Sequence, residues 1–307
     1  MLKNTKLKIS IIGCGRLGLT LAFAISKEKH PEISVVSTSS RSDKSLNNAR
    51  EILNKYGENI LFTKDNFLAA SISNCIFICT PDDKIKEVCD EIFNPAFNFN
   101  PAEISVFHFS GLKKIDVLNS AKAAGASVAC MHPIKSFASV SESIKTLEDT
   151  LYGVTYDKSD AKIRNIIKSL ADVLKGRTIF VENDKKTLYH ISACIASNYL
   201  VSLLDIAIET GELLQLNPEI FLSGLINLSQ GTLNNIKKLG TKKALTGPIA
   251  RGDLSTIKEH IESLKKLKRK DLLQTYQILG EKTAKIAFEN KWIDDKTYNE
   301  LSVILNN

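Results

Sequence analysis

Two sets of residues have types and spacings that could do chemistry. Lys186, His190, Ala193 and Ser197 recur at intervals of four, three and four, so on a helix they form one narrow stripe, flanked by Cys194 and Asn198. Around them Leu188, Ile191, Ile195, Leu200, Val201 and Leu204 are apolar. A polar stripe with small residues on such a helix leaves room for a ligand and offers it donors. Hydride reduction of a carbonyl needs two such contributions beyond cofactor placement: a proton, which Lys186 or His190 can supply, and a grip on the oxygen or an adjacent carboxylate, which Ser197 or Asn198 can supply. A plainer account also fits, with Lys186 reaching solvent and His190 hydrogen-bonded in a core. The second set is Gly13, Gly15 and Gly18, a Gly-x-Gly-x-x-Gly pattern within Lys6 to Gly18 that follows a β-branched run.

The elements that must position these groups can be read in order. A buried strand leads into the glycine turn. Gly13 permits the tight bend, Gly15 lets backbone approach a pyrophosphate, and Gly18 lets the next helix pack on the sheet. That helix starts with Arg16 and Leu17, whose unpaired N–H groups and positive dipole end face the phosphates. Ile33 to Ser37 reads as a second strand ending in Ser37-Thr38-Ser39-Ser40-Arg41. Where an acidic residue would bind ribose hydroxyls, Thr38, Ser39, Ser40 and Arg41 offer hydroxyls and a guanidinium fork that suit a 2′-phosphate, so NADP(H) is expected over NAD.

Cys75 to Cys79 is an apolar strand running into Thr80-Pro81-Asp82-Asp83. Thr80 and Pro81 are expected beside the nicotinamide half, with Asp83 capping a helix from Lys84 to Ile92. Ile104 to Phe109 ends in His108-Phe109-Ser110-Gly111, and Val128 to Met131 runs into His132-Pro133. Both strand ends bring a histidine and a serine to one crevice. Leu151 to Tyr156 and Thr178 to Val181 are further strands, separated by a helix over Asp160 to Leu174. Beyond 183 the pattern is helical, with Asn183-Asp184 expected to cap one helix from Lys185 to Thr210. Thr246 to Asp253 forms a turn in which Arg251 can pair with a carboxylate or with Asp253.

The expected fold is therefore an α/β, Rossmann-type doubly wound sheet over 1–182, followed by an all-α domain over 183–307 whose apolar faces are buried by each other or by a second subunit. The chain has 307 residues and a net charge of +7. Its lysines are dispersed, which argues against nucleic acid and favours an anionic ligand. Six cysteines without Cys-x-x-Cys spacing give no expectation of zinc, another metal or disulfides. With no signal-peptide pattern and no apolar run taken as long enough to cross a bilayer, a cytoplasmic protein without membrane contact is expected.

Gly13 to Gly18, Thr80 to Asp82, His108 to Gly111, His132 to Phe137, Tyr189-His190, Ser197-Asn198 and Thr246 to Asp253 together resemble the Rossmann-like oxidoreductase family whose C-terminal helical domain has long been described as of unknown function. That family is similar in architecture to 6-phosphogluconate dehydrogenase, pyrroline-5-carboxylate reductase and ketopantoate reductase, and one branch resembles the alternative, PanG-type ketopantoate reductase. The resemblance implies a homodimer formed through the helical domain and NADPH-dependent reduction of 2-dehydropantoate. Lys186, His190 and Asn198 would act in catalysis, while Ser110, His132, Ser197 and Arg251 would grip the keto acid. Relatives carry a lysine followed four residues later by asparagine; here Lys186 is followed by His190, which remains a rival proton donor. An imine reductase of the pyrroline-5-carboxylate type and a non-catalytic NADP(H) sensor are the alternatives.

Overall fold

The structure is a computed structural model that describes residues 6–56, 59–94 and 100–307. Eight strands form one sheet: β1 (Leu7–Ile12), β2 (Ile33–Ser39), β3 (Leu61–Thr63), β4 (Cys75–Ile78), β5 (Ser105–His108), β6 (Ser127–Pro133), β7 (Leu151–Tyr156) and β8 (Arg177–Phe180). Their order is β3-β2-β1-β4-β5-β6-β7-β8. The chain winds outward from β1 through β3, then returns to β4 and winds the other way. The crevice between the carboxyl ends of β1 and β4 is thus the topological switch point where such sheets bind ligands. Helices α1 (Arg16–Glu28), α2 (Asp43–Leu53), α3 (Asn66–Ser71), α4 (Ile85–Ile92), α5 (Asn119–Ala123), α6 (Val140–Lys145) and α7 (Ala161–Val173) connect the strands.

The central strands are apolar throughout because both faces are covered. Ile9, Ile11, Phe77 and Phe107 point into one core, while Ile12, Ile76, Ile78 and Val106 point into the other. The sheet departs from the expected pattern in three places. The short strand β3 carries too few residues for a pattern, β2 continues to Ser39 rather than Ser37, and β7 runs antiparallel to β6. Strand direction is decided by how the connection packs, and the sequence of β7 reads the same either way.

Two capping expectations are corrected. Lys84, not Asp83, precedes α4, and it makes no side-chain cap. Asn183 and Asp184 form a 3-10 turn, Asn183–Lys185, instead of capping. The Asn183 side chain instead accepts from the N–H of Ile115 at 2.9 Å, joining this turn to the segment after β5. The single helix expected from Lys185 to Thr210 is interrupted at Ser197 (φ −117°, ψ −66°), giving α8 (Lys186–Ala196) and α9 (Asn198–Glu212).

The chain divides into two compact units, Met1–Asn198 and Tyr199–Asn307, so α8 belongs with the sheet. The second unit continues with α10 (Pro218–Lys243), α11 (Leu254–Lys266), α12 (Lys270–Glu289) and α13 (Asp295–Asn306). Ile257, Ile261, Ala284, Ala287, Leu301 and Leu305 of the last three helices form its core. By contrast, none of the residues of α10 is buried. Asn183–Glu212 is, by length and composition, apolar enough to cross a membrane, with a mean hydropathy of 1.7 over an 18-residue stretch that has no buried residue. This corrects the expectation that no run reaches that length. The stretch is nonetheless broken at Ser197, and its first turn carries buried Lys186 against the sheet.

In the Thr246 to Asp253 turn, Asp253 caps α11 by accepting from the Thr256 N–H at 3.1 Å, the Thr256 hydroxyl at 2.7 Å and the Ser255 hydroxyl at 2.9 Å. Replacing a cap of this kind costs about 1 to 2 kcal/mol. Asp253→Ala is expected to lower the urea-unfolding stability by that amount, and an unchanged midpoint would remove the capping role.

Candidate active site

The glycine turn has the geometry its spacing implies. Gly13 has φ +101°, and a Cβ there would meet the Cys79 backbone at 3.0 Å. At Gly18 a Cβ would fall 2.1 Å from the Gly13 carbonyl oxygen. At Gly15, by contrast, nothing lies within 4 Å of that position, so the backbone is open to a ligand. Gly13 N–H and Cys14 N–H both donate to the Ser39 carbonyl, at 3.0 and 3.2 Å, which pins the turn to the end of β2.

A cleft of about 430 Å³ opens here, lined by Gly13, Gly15, Ser40, Arg41, Thr80 and Pro81 among others. The first N–H groups of α1 have no helical acceptor and are available to an anion. The side chain of Leu17 packs on the core, and the guanidinium of Arg16 donates to the Phe137 carbonyl at 3.3 Å, so these two residues offer the cleft their backbone. Thr38 and Ser39 are fully buried, and the Ser39 hydroxyl is spent on Asn66 at 2.7 Å. Ser40 and Arg41 do line the cleft, joined by Ser42, Ser45 and Lys84, which sequence reasoning missed. For Ser42 and Ser45 the signal was present in the serines that continue after Arg41; nothing local marked Lys84. The Thr80 hydroxyl is buried without a partner.

The second group lies where β5, β6 and α8 meet. Lys186 is only 1% exposed. Its ammonium donates to the Ser110 carbonyl at 3.1 Å and lies 3.0 Å from the Cys130 sulfur. Among the described residues, no carboxylate lies within ion-pair distance of it. Tyr189 brings its hydroxyl 2.8 Å from His132 Nδ1. Gly153 in β7 makes room for it, since a Cβ there would fall 2.4 Å from the Tyr189 oxygen. Gly111 separates the rings of His132 and His190, and a Cβ there would come within 2.9 Å of both.

Burial and the neighbouring Lys186 charge push His108 down to about 3 and His132 down to about 4, so both imidazoles are neutral near pH 7. Burial also pushes the Tyr189 hydroxyl up, keeping it protonated. The Lys186 ammonium thus lies beside neutral His108, His132 and Tyr189.

Of the residues read as catalytic or substrate-binding, Lys186, His190, His132 and Ser110 come together. Ser110 contributes its carbonyl. Its hydroxyl donates to Asp82 at 2.5 Å and accepts from the N–H groups of Leu112 and Lys113, which uses its full capacity. His190 keeps a buried Nδ1 without a partner. Ser197 and Asn198 are exposed at the break between α8 and α9, away from this group. Arg251 belongs to the second unit, in the turn Ile249–Arg251 before the capping Asp253. Asp82 and Cys130 have roles the sequence did not announce: Asp82 as an isolated acid and Cys130 as one apolar-run cysteine among several.

Because His108 and His132 titrate below the ordinary 6.5, the unfolded chain binds more protons than the folded one over the interval below that pH. Stability is therefore expected to fall as pH drops from about 6.5 toward 4. Urea-unfolding midpoints measured across that interval should decline, and His132→Gln should flatten the slope; an equally steep variant would assign the dependence elsewhere.

Residues 1–133 match the Rossmann-like domain family, and residues 153–283 match the domain of unknown function DUF2520. No curated protein matches the sequence. A solved structure from Thermotoga maritima is similar with a TM-score of 0.71 at 23% identity, over 92% of this chain and 99% of that one. A Bacteroides fragilis protein named as a candidate NADP oxidoreductase gives 0.69 at 18%, over 92% and 100%. A pyrroline-5-carboxylate reductase from Coxiella burnetii gives 0.59 at 14%, over 98% and 99%. Identities this low carry the fold. The two domain matches, in sequence order, give the chain a Rossmann-like domain followed by a DUF2520 domain, and the DUF2520 match covers α8 to α11.

Proposed function

We propose that the chain is an NADP(H)-dependent reductase of a small keto acid, with conversion of 2-dehydropantoate to pantoate as the named reaction. The observation that carries this reading is the buried Lys186 ammonium, held without a carboxylate at the carboxyl ends of β5 and β6. Its remaining N–H can meet the oxygen of a carbonyl, stabilise the alkoxide as charge develops, and give up its proton. Bound NADPH would supply the hydride. The open backbone at Gly15, the partnerless Thr80 hydroxyl and the Arg41 and Ser40 side chains fit such a dinucleotide. Neutral His132, oriented by Tyr189, and the partnerless Nδ1 of His190 serve as donors or acceptors to the rest of the substrate.

A second reading is an imine reductase, supported by the fold shared with a pyrroline-5-carboxylate reductase. Reduction of C=N proceeds through a cationic iminium, which a buried ammonium without a counter-charge opposes. Keto-acid reduction is the better fit on that ground. The helical unit supports a homodimer: Val201, Ile220 and Leu228 are 69%, 75% and 69% exposed on α9 and α10, more apolar surface than a lone unit ordinarily leaves uncovered.

Purified protein should oxidise NADPH with 2-dehydropantoate and not with pyrroline-5-carboxylate; the reverse preference would overturn the keto-acid assignment. Lys186→Met is expected to lower kcat by about a hundredfold or more. Arg41→Ala should raise KM for NADPH about tenfold or more, with little effect on NADH, through loss of a charge-assisted contact. In light scattering the native protein should be dimeric and a Val201→Glu, Leu228→Glu variant monomeric.

A further inference from the structure

Cys130 lies inside β6 with no exposed surface, and as a sequence element it reads as a small hydrophobe. Its contacts are not those of a hydrophobe. The sulfur is 3.0 Å from Lys186 Nζ, and its own S–H donates to the Ser110 carbonyl at 3.3 Å, the same oxygen that accepts from Lys186 at 3.1 Å. Nitrogen, sulfur and carbonyl oxygen close a triangle. The carbonyl has two lone pairs and receives both donors. A lysine ammonium has three N–H groups, so two are consumed within the protein and one remains.

The ionisable groups around this triangle come from every element packed on it: His108 from β5, His132 from β6, Asp82 after β4, and Tyr189 and His190 from α8. Asp82 is held by the Ser110 hydroxyl, and both strand-end histidines are neutral near pH 7. Among the described residues, Cys130 is therefore the one titratable side chain bonded directly to the ammonium. Burial pushes its thiol up, while the Lys186 charge pulls the other way.

We propose that Cys130 is a positioning residue: its sulfur, with the Ser110 carbonyl, fixes the Lys186 ammonium so that a single N–H is left to face the substrate. This rests on the reading of Lys186 as the proton donor. It adds that the donor's aim depends on a thiol rather than on a carboxylate. A carboxylate in that position would hold the charge more tightly and oppose release of the proton; a thiol holds the geometry with a weaker claim on it.

The test compares Cys130→Ala, which removes the sulfur, with Cys130→Ser, which keeps a shorter acceptor. In Cys130→Ala, kcat should fall about tenfold to a hundredfold with KM for NADPH within about twofold, and the basic limb of the kcat–pH profile should move to lower pH. Cys130→Ser should recover most of the loss. Equal loss in both variants with an unmoved profile would overturn the proposal, as would full activity in Cys130→Ala. Exchange of the Lys186 ammonium protons, followed by ¹⁵N-lysine NMR and assigned with Lys186→Met, gives a readout without turnover. It should accelerate about tenfold in Cys130→Ala and be restored in Cys130→Ser. No acceleration overturns the positioning role. Acceleration in a protein that reduces no keto acid or imine keeps the triangle and overturns the reductase reading instead.

Discussion

An ammonium withdrawn from water must be paired or otherwise held, because an uncompensated buried charge costs several kcal/mol. In this protein the burden falls on the Ser110 carbonyl, just beyond β5, and on the Cys130 sulfur of β6. Most of the surrounding construction follows from that constraint. The strand-end backbone turns at Ser110 so that its carbonyl faces Lys186, and that turn is itself locked by Asp82 and by two amide N–H groups. The histidines stay neutral because burial disfavours their charged form and, secondarily, because protonation would place a second cation near the first.

The same sheet gives the cleft at the glycine turn and the lysine cluster a common frame. The register of β4 with β5 sets Ile78 opposite His108, and the register of β5 with β6 sets His108 opposite Cys130. The crevice, the histidine and the thiol are thus fixed to one another by backbone hydrogen bonds rather than by flexible side chains. Helix α8 then adds Lys186, Tyr189 and His190 from a single turn of backbone.

Much of this was legible in the sequence. The glycine spacing after an apolar run located the turn, and the apolar strands ending in histidine and serine marked the crevice. The helical stripe isolated Lys186 and His190. What escaped were features set by pairing between distant segments. The reversed direction of β7 depends on how its connection packs, and the contact between Cys130 and Lys186 depends on strand register. Thr38 and Ser39 looked like phosphate ligands because hydroxyls after a strand usually leave the sheet, yet β2 continues through both and buries them. The helix break at Ser197 has no glycine or proline to announce it, so the stripe was extended to Ser197 and Asn198 beyond the point where helical periodicity applies.

Gly111 shows how an absent atom can carry information. The rings of His132 and His190 arrive from a strand and a helix that share no covalent neighbour, and both close on the volume a side chain at 111 would fill. The distance between the two imidazoles, 6.4 Å between ring centres, is therefore written in a hydrogen where any other residue would place carbon. A single added methyl at 111 would press on both rings and part them, with neither histidine replaced.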